Sequence, residues 1–96
     1  MYEIRFIGSA ERYLKKIKEE PLKTAFETAL NNILKDPYLG ESKTGDLTGI
    51  YCYDFYYNKT NYEIAYRVYE NNNQVIIVIL AGTRQNFYKE LKKFIK

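Results

Sequence analysis

Residues 74–81 read QVIIVILA, with an apolar side chain at every position from Val75 to Ala81. A strand with one solvated face alternates polar and apolar residues, and this one does not. Such a run needs cover on both faces, so it predicts a central strand. It is far shorter than the roughly 20 residues a helix needs to cross a bilayer. The rest of the 96-residue chain must wrap this strand, which points to one domain, residues 1–96, with one modest core.

The flanking patterns supply the wrapping. YEIRFI (2–7) alternates as a strand, and Ser9 after Gly8 is placed to cap a helix. Ala10, Tyr13, Leu14 and Ile17 then form one helical face. Pro21 suits the first turn of a second helix, with Leu22, Phe26, Ala29, Leu30, Ile33 and Leu34 as its stripe and an end at Asp36 before Pro37. Residues 37–49 read as loop. IYCYDFYY (50–57) and YEIAYRVY (62–69) are two further strands, with four-residue loops NKTN and ENNN as hairpin connections. After the central strand, Gly82 is expected to turn the chain into a last helix carrying Phe87, Tyr88, Leu91, Phe94 and Ile95. The order β-α-α-β-β-β-α segregates helices from strands and predicts an α+β fold. Its expected build is an antiparallel sheet with a helical hairpin on one face and a C-terminal helix closing one side.

The chain is 46% apolar and 28% charged, as globular domains are. It starts with a charged, strand-like segment rather than a basic and apolar leader, so a cytoplasmic protein with no membrane contact is expected. Its single cysteine, Cys52, excludes an internal disulfide and reads as a small buried hydrophobe. Without histidine there is no cysteine–histidine metal site, and acid–base work at neutral pH falls to carboxylates, lysine or tyrosine. No metal or cofactor is expected. The net charge is +3, but residues 84–96 hold five basic side chains against one acidic, leaving the remainder at −1. A solvated helix face or a polyanion contact would both use that tail.

Alternation sorts the strand faces. Tyr62, Ile64, Tyr66 and Val68 share the apolar face, as do Tyr51, Tyr53, Phe55 and Tyr57 one strand earlier. Glu63 and Arg67, with Asp54 and Tyr56, are left on the opposite, open face. Arg84 and Tyr88 follow the central strand and are placed to overhang it. Cross-strand ion pairs of Asp54 or Glu63 with Arg67 would account for such a face without any chemistry.

GDLTG (45–49), YEIAYRV (62–68) and VILAGTRQNFYKEL (78–91), in this order behind a strand and a helical hairpin, resemble the RelE/ParE superfamily of bacterial toxins from type II toxin–antitoxin modules. The resemblance covers nearly the whole chain. It implies a RelE-like fold and a cognate antitoxin as partner. It also implies metal-independent cleavage of ribosome-bound mRNA, in which the 2′-hydroxyl attacks the neighbouring phosphate and translation is inhibited. Arg84 matches the arginine of the turn after the sheet, as a phosphate clamp, and Tyr88 matches the tyrosine near the C-terminus. Glu63 departs from the family's usual arginine, and Asp54 and Tyr56 stand where some members place lysines. Arg67, on the same face, is a compensating candidate, while Glu63 or Asp54 is available as a carboxylate base. The catalytic candidates are thus Arg84, Tyr88, Glu63 and Arg67. The RNA-binding candidates are Arg84, Tyr56, Lys89, Lys92 and Lys93. A ParE-like toxin that poisons DNA gyrase, and a non-catalytic antitoxin-binding member, are the alternatives the same resemblance carries.

Overall fold

The structure, a computed structural model, describes residues 2–85 and 87–94. Its elements are β1 (Glu3–Phe6), α1 (Gly8–Lys15), α2 (Glu20–Lys35), β2 (Glu41–Ser42), β3 (Tyr51–Tyr57), β4 (Thr60–Tyr69), β5 (Val75–Thr83) and α3 (Phe87–Lys92). They build one sheet in the order β1-β5-β4-β3-β2. The fully apolar run lies in β5, flanked by β1 and β4 as its composition requires. The meander β3–β4–β5 is antiparallel, but β1 joins β5 in parallel, from Glu3 opposite Val75 to Phe6 opposite Val78. The expected antiparallel sheet is therefore mixed. The helical hairpin between β1 and the meander lets the first strand run alongside the last.

The helical hairpin packs where the apolar faces predict. Ala10, Leu22, Phe26, Ala29 and Ile33 meet Ile64, Tyr66, Ile76 and Val78 in the larger core. Phe26 is its hub, with edge-on contacts to Phe55 at 4.9 Å and Tyr62 at 5.6 Å between ring centres. Most tyrosines of β3 and β4 edge this core, which is the half-buried place their amphipathic rings suit.

Four local expectations change. The β3–β4 connection is a two-residue turn, with Tyr57 opposite Thr60 and with Asn58 and Lys59 at φ 49° and 66°. Two positive φ values match the twist of a hairpin, so the strands run on through residues expected to be loop. Ser9 does not cap α1; its hydroxyl donates to the Ile79 carbonyl at 3.5 Å, and Ile7 stands at the N-cap. The segment 37–49 contains the short strand β2 and a tight helical turn, Gly45–Leu47. Gly82 lies within β5, opposite Glu63, and the chain turns later, where the Phe87 amide donates to the Arg84 carbonyl at 3.1 Å.

The second sheet face is not simply open. Tyr66 pairs with Val78 and Ala65 with Leu80, so Ile79 is an extra residue in β5. This bulge lets consecutive Ile79 and Leu80 both join a second cluster with Leu47, Ile50, Cys52, Ala65, Phe87 and Leu91. Phe87 is 3% and Leu91 0% exposed, and burying each side chain contributes about 1.5–3 kcal/mol. That burial fixes α3 across the far end of the face. Ile95 of the expected stripe lies outside the described residues.

Candidate active site

Tyr88 follows Phe87 on α3, so anchoring Phe87 and Leu91 aims Tyr88 back toward the sheet. Its hydroxyl donates to Glu63 Oε1 at 2.7 Å. Glu63 sits on β4, directly opposite Asp54 of β3 and Gly82 of β5. The open-face expectation fails here: Glu63 is 3% exposed, covered by the α3 end of the molecule. Its second oxygen, Oε2, is buried and has no hydrogen-bond partner among the described residues. Among the described residues the nearest cation is Arg84, whose Nε lies 3.8 Å away and whose side chain is 60% exposed. A buried carboxylate with one oxygen unsatisfied costs stability, and such groups point to function.

Arg84 is held by Asn61 across the sheet edge. Its amide donates to the Asn61 carbonyl at 2.9 Å. With the Asn61 amide oxygen facing the guanidinium, Nη1 donates to it at 3.1 Å while the amide nitrogen donates to the Phe55 carbonyl at 3.1 Å. The Arg84 side chain is 60% exposed, so the fork can also meet an anion from solvent.

Behind Tyr88 lies Lys43, just after β2, with Nζ 4.8 Å from the ring centre and 2.6 Å from Glu41 Oε1. Burial opposes the Lys43 charge, but the hydrogen bond to Glu41 and the neighbouring Tyr88 outweigh it and raise its pKa. The same pairing lowers the Glu41 carboxyl. The Tyr88 hydroxyl is pushed up to about 12, first by burial and then by Glu63, with Lys43 acting the other way. Burial also raises the Cys52 thiol to about 11, which leaves it an unreactive wall residue.

A cavity of about 320 Å³ lies in front of Tyr88, lined by Gly40, Glu41, Cys52, Asp54, Glu63, Arg84 and Tyr88, among others. A larger apolar groove of about 440 Å³ runs between α1 and α2, lined by Phe6, Leu14, Ile17, Phe26 and Leu30 under a rim of lysines and glutamates. It gathers no acid–base constellation.

Arg84, Tyr88 and Glu63 are brought together as the strand pattern anticipates, while Arg67 is not. Arg67 pairs with Ile77, four residues along β4 from Glu63, roughly 13 Å at strand rise. Its guanidinium lies against Gly49, where a Cβ would sit 2.9 Å from Nη1. The ion-pair partner of Glu63 is thus Arg84 rather than Arg67. Tyr56 is 76% exposed, one step along the face from Asp54, and does not line the cavity. Lys89, Lys92 and Lys93 are exposed on and just after α3, with Lys93 paired to Glu90 at 3.3 Å. Lys43 and Glu41 are the site residues that pattern reading misses. Their one signal is the spacing of two, which puts both on one side of an extended segment.

The mixed sheet with a helical hairpin on one face and a short C-terminal helix on the other matches the fold of solved RelE structures. The chain is similar to the isolated Escherichia coli RelE toxin, with a TM-score of 0.70 at 21% identity over all of both chains. It is similar to a free-state double mutant of that toxin, with a TM-score of 0.73 at 18% identity over 98% of this chain and 93% of that one. The intact E. coli RelBE toxin–antitoxin complex matches with a TM-score of 0.66 at 21% identity, over 85% of this chain and 95% of that one. The family described as ParE-like toxin of type II bacterial toxin–antitoxin system matches residues 5–92, and the chain belongs to that family. No curated protein sequence matches it. Among the described residues, no helix is long and apolar enough to cross a membrane.

Proposed function

We propose that this toxin is an endoribonuclease that cuts mRNA on the ribosome, with Glu63 as general base, Tyr88 as general acid and Arg84 as phosphate clamp. One observation carries the reading: a buried carboxylate with one oxygen bonded to a tyrosine hydroxyl and the other ion-paired at 3.8 Å with an arginine but without a hydrogen bond among the described residues. Cleavage by the 2′-hydroxyl needs a proton acceptor, a proton donor and positive charge at the phosphorane. Glu63 Oε2 takes the 2′-hydroxyl proton as the 2′-oxygen bonds to phosphorus. The bond to the 5′-oxygen breaks, and that oxygen leaves with the Tyr88 proton. Glu63 is left protonated on Oε2 and Tyr88 deprotonated; loss of the first proton to solvent and uptake of another by Tyr88 reset the pair. The products are a 2′,3′-cyclic phosphate and a 5′-hydroxyl. Arg84 meets the added negative charge with its fork. The exposed Lys89, Lys92 and Lys93 extend the basic surface along the RNA backbone. The test is primer extension on mRNA in a translating extract. Cuts within codons are expected with the wild type, and intact mRNA at inhibitory doses rejects the reading.

The likeness to the RelBE complex supports a cognate antitoxin as partner. Acidic residues on it would complement the lysines of α3. Co-purification with the product of a neighbouring reading frame tests this, and a chain that stays monomeric and harmless in its presence and absence alike counts against it.

A second reading has its own support. Glu41, Asp54 and Glu63 outnumber Arg84 in the cavity wall, an arrangement unfavourable to phosphate. A toxin that acts by binding DNA gyrase would not need that phosphate site. Added to gyrase on supercoiled DNA, such a toxin traps cleaved complexes, and unchanged gyrase products remove this reading.

A further inference from the structure

Lys43 is held from both sides in the chain. Before it, the Gly40 amide donates to the Tyr66 hydroxyl at 2.9 Å. A Cβ on Gly40 would lie 2.7 Å from that hydroxyl and 3.0 Å from the Cys52 carbonyl oxygen, so the backbone can dock this closely only as glycine. At Lys43 itself, the backbone amide donates to the Ile50 carbonyl at 3.0 Å. Residues 41–43 are thereby pinned beside β3, and the lysine side chain is aimed under α3.

Its side chain is only 18% exposed, although its ion-pair partner Glu41 is 75% exposed. Glu41 accepts from Lys43 at 2.6 Å, but its exposure lets solvent screen the pair. The burial of Lys43 therefore has another counterpart, the Tyr88 ring 4.8 Å away. Glu63 touches the same tyrosine through its hydroxyl, at 2.7 Å. Among the described residues, the ionisable groups around Tyr88 are Glu41, Lys43, Cys52, Asp54, Glu63 and Arg84. Glu41, Lys43, Tyr88 and Glu63 form a continuous chain, negative, positive, ring, negative.

We propose that Lys43 is a positioning residue of the site: it holds the Tyr88 ring against Glu63 and keeps a positive charge over that ring. Its role in the reaction rests on the nuclease reading, while the positioning is a property of the chain alone. Burial and Glu63 hold the Tyr88 proton tightly, and Lys43 opposes them. As Tyr88 gives its proton to the leaving oxygen, charge grows on the phenol, and a fixed ammonium beside it lowers that cost. Lys43 does not line the cavity, so it acts through Tyr88 and not on RNA.

The test replaces the tyrosines with 3-fluorotyrosine, which titrates at lower pH, and follows each ring by ¹⁹F NMR. Tyr88→Phe assigns the resonance. In Lys43→Met the Tyr88 midpoint is expected to rise by about one pH unit, as for a group losing an adjacent opposite charge. Lys43→Arg is expected to keep it near wild type. Lys43→Gln reads the same quantity if Lys43→Met does not fold. An unchanged Tyr88 midpoint overturns the proposal. In the translating extract, Lys43→Met is expected to lose about tenfold in kcat at unchanged KM, with Lys43→Arg restoring it. Cleavage at the wild-type rate by Lys43→Met also overturns the proposal. If the wild type cuts no RNA, the nuclease reading falls and the Tyr88 titration alone decides for Lys43.

Discussion

The Tyr88 hydroxyl and Glu63 Oε1 are 2.7 Å apart, joining the C-terminal helix to the middle strand of the meander through one hydrogen bond. The bond ties the proposed acid to the proposed base, and it rests on a carboxylate that the fold buries at a cost.

Glu63→Gln separates that cost from its use. Glutamine keeps an acceptor for Tyr88 and removes a buried charge with an unsatisfied oxygen. The variant is expected to melt at or above the wild-type temperature while cleavage falls by at least about a hundredfold. Thermal melts and cleavage rates on one preparation check both. A clear loss of stability would mean that the Arg84 contact outweighs the burial cost.

Leu91 is the anchor of α3. Leu91→Ala is expected to cost about 2–5 kcal/mol in urea unfolding, because the side chain is fully buried against the second cluster. The same variant is expected to release Tyr88 and weaken toxicity in cells even when expression is matched.

Gly40→Ala forces contacts of 2.7 and 3.0 Å with Tyr66 and Cys52. A loss of about 1–3 kcal/mol is expected, as for overpacking. In Tyr66→Phe the Gly40 amide loses its acceptor, and a smaller loss, about 1 kcal/mol, is expected.

Alkaline pH acts through Tyr88, Tyr66 and Cys52. Folding raises the two tyrosines from 10.0 to about 12, chiefly by burial, and the thiol from 9.0 to about 11. The folded state therefore holds these protons more tightly than the unfolded chain. The stability this gives is fully present below pH 9 and drains away between pH 9 and 12 as the unfolded chain ionises first. Urea unfolding across that range is expected to show a falling midpoint, less steep above pH 10 in Tyr88→Phe. A flat midpoint would contradict the burial of these groups.

Neutralising Lys89, Lys92 and Lys93 to glutamine is expected to reduce the salt dependence of RNA binding, by about 0.7 in log–log slope per lost phosphate contact, while the cleavage step persists. Binding measured between low and physiological salt checks the slope. An unchanged slope would place the RNA elsewhere.

Much of this was legible in the residues. The faces of β3 and β4 follow from strict alternation, because a half-buried strand admits no other reading. The apolar run of β5 placed itself between two neighbours. The bulge at Ile79 left no mark, since an apolar residue fits either face of a strand that is apolar throughout. Glu63 looked like a surface residue because glutamate usually is one. Its burial depends on which face α3 crosses, a tertiary matter that the Phe87 and Leu91 stripe alone does not decide. Arg67 shared the right face but sat too far along it, since alternation gives the side of a strand and not the position of its cover. Lys43 hid in a loop-like stretch, and the docking of Gly40 on Tyr66 together with the Lys43 amide on Ile50 brings it to the site.

The most direct test is the chemistry of the cut ends. Wild-type toxin and Glu63→Gln are added separately to a translating extract, and the fragments are mapped and their termini identified. The expected result is cleavage within translated codons by the wild type, leaving 2′,3′-cyclic phosphate and 5′-hydroxyl ends, with no such ends from Glu63→Gln. Equal cleavage by both proteins, or inhibition of growth by a wild type that leaves mRNA whole, would contradict it.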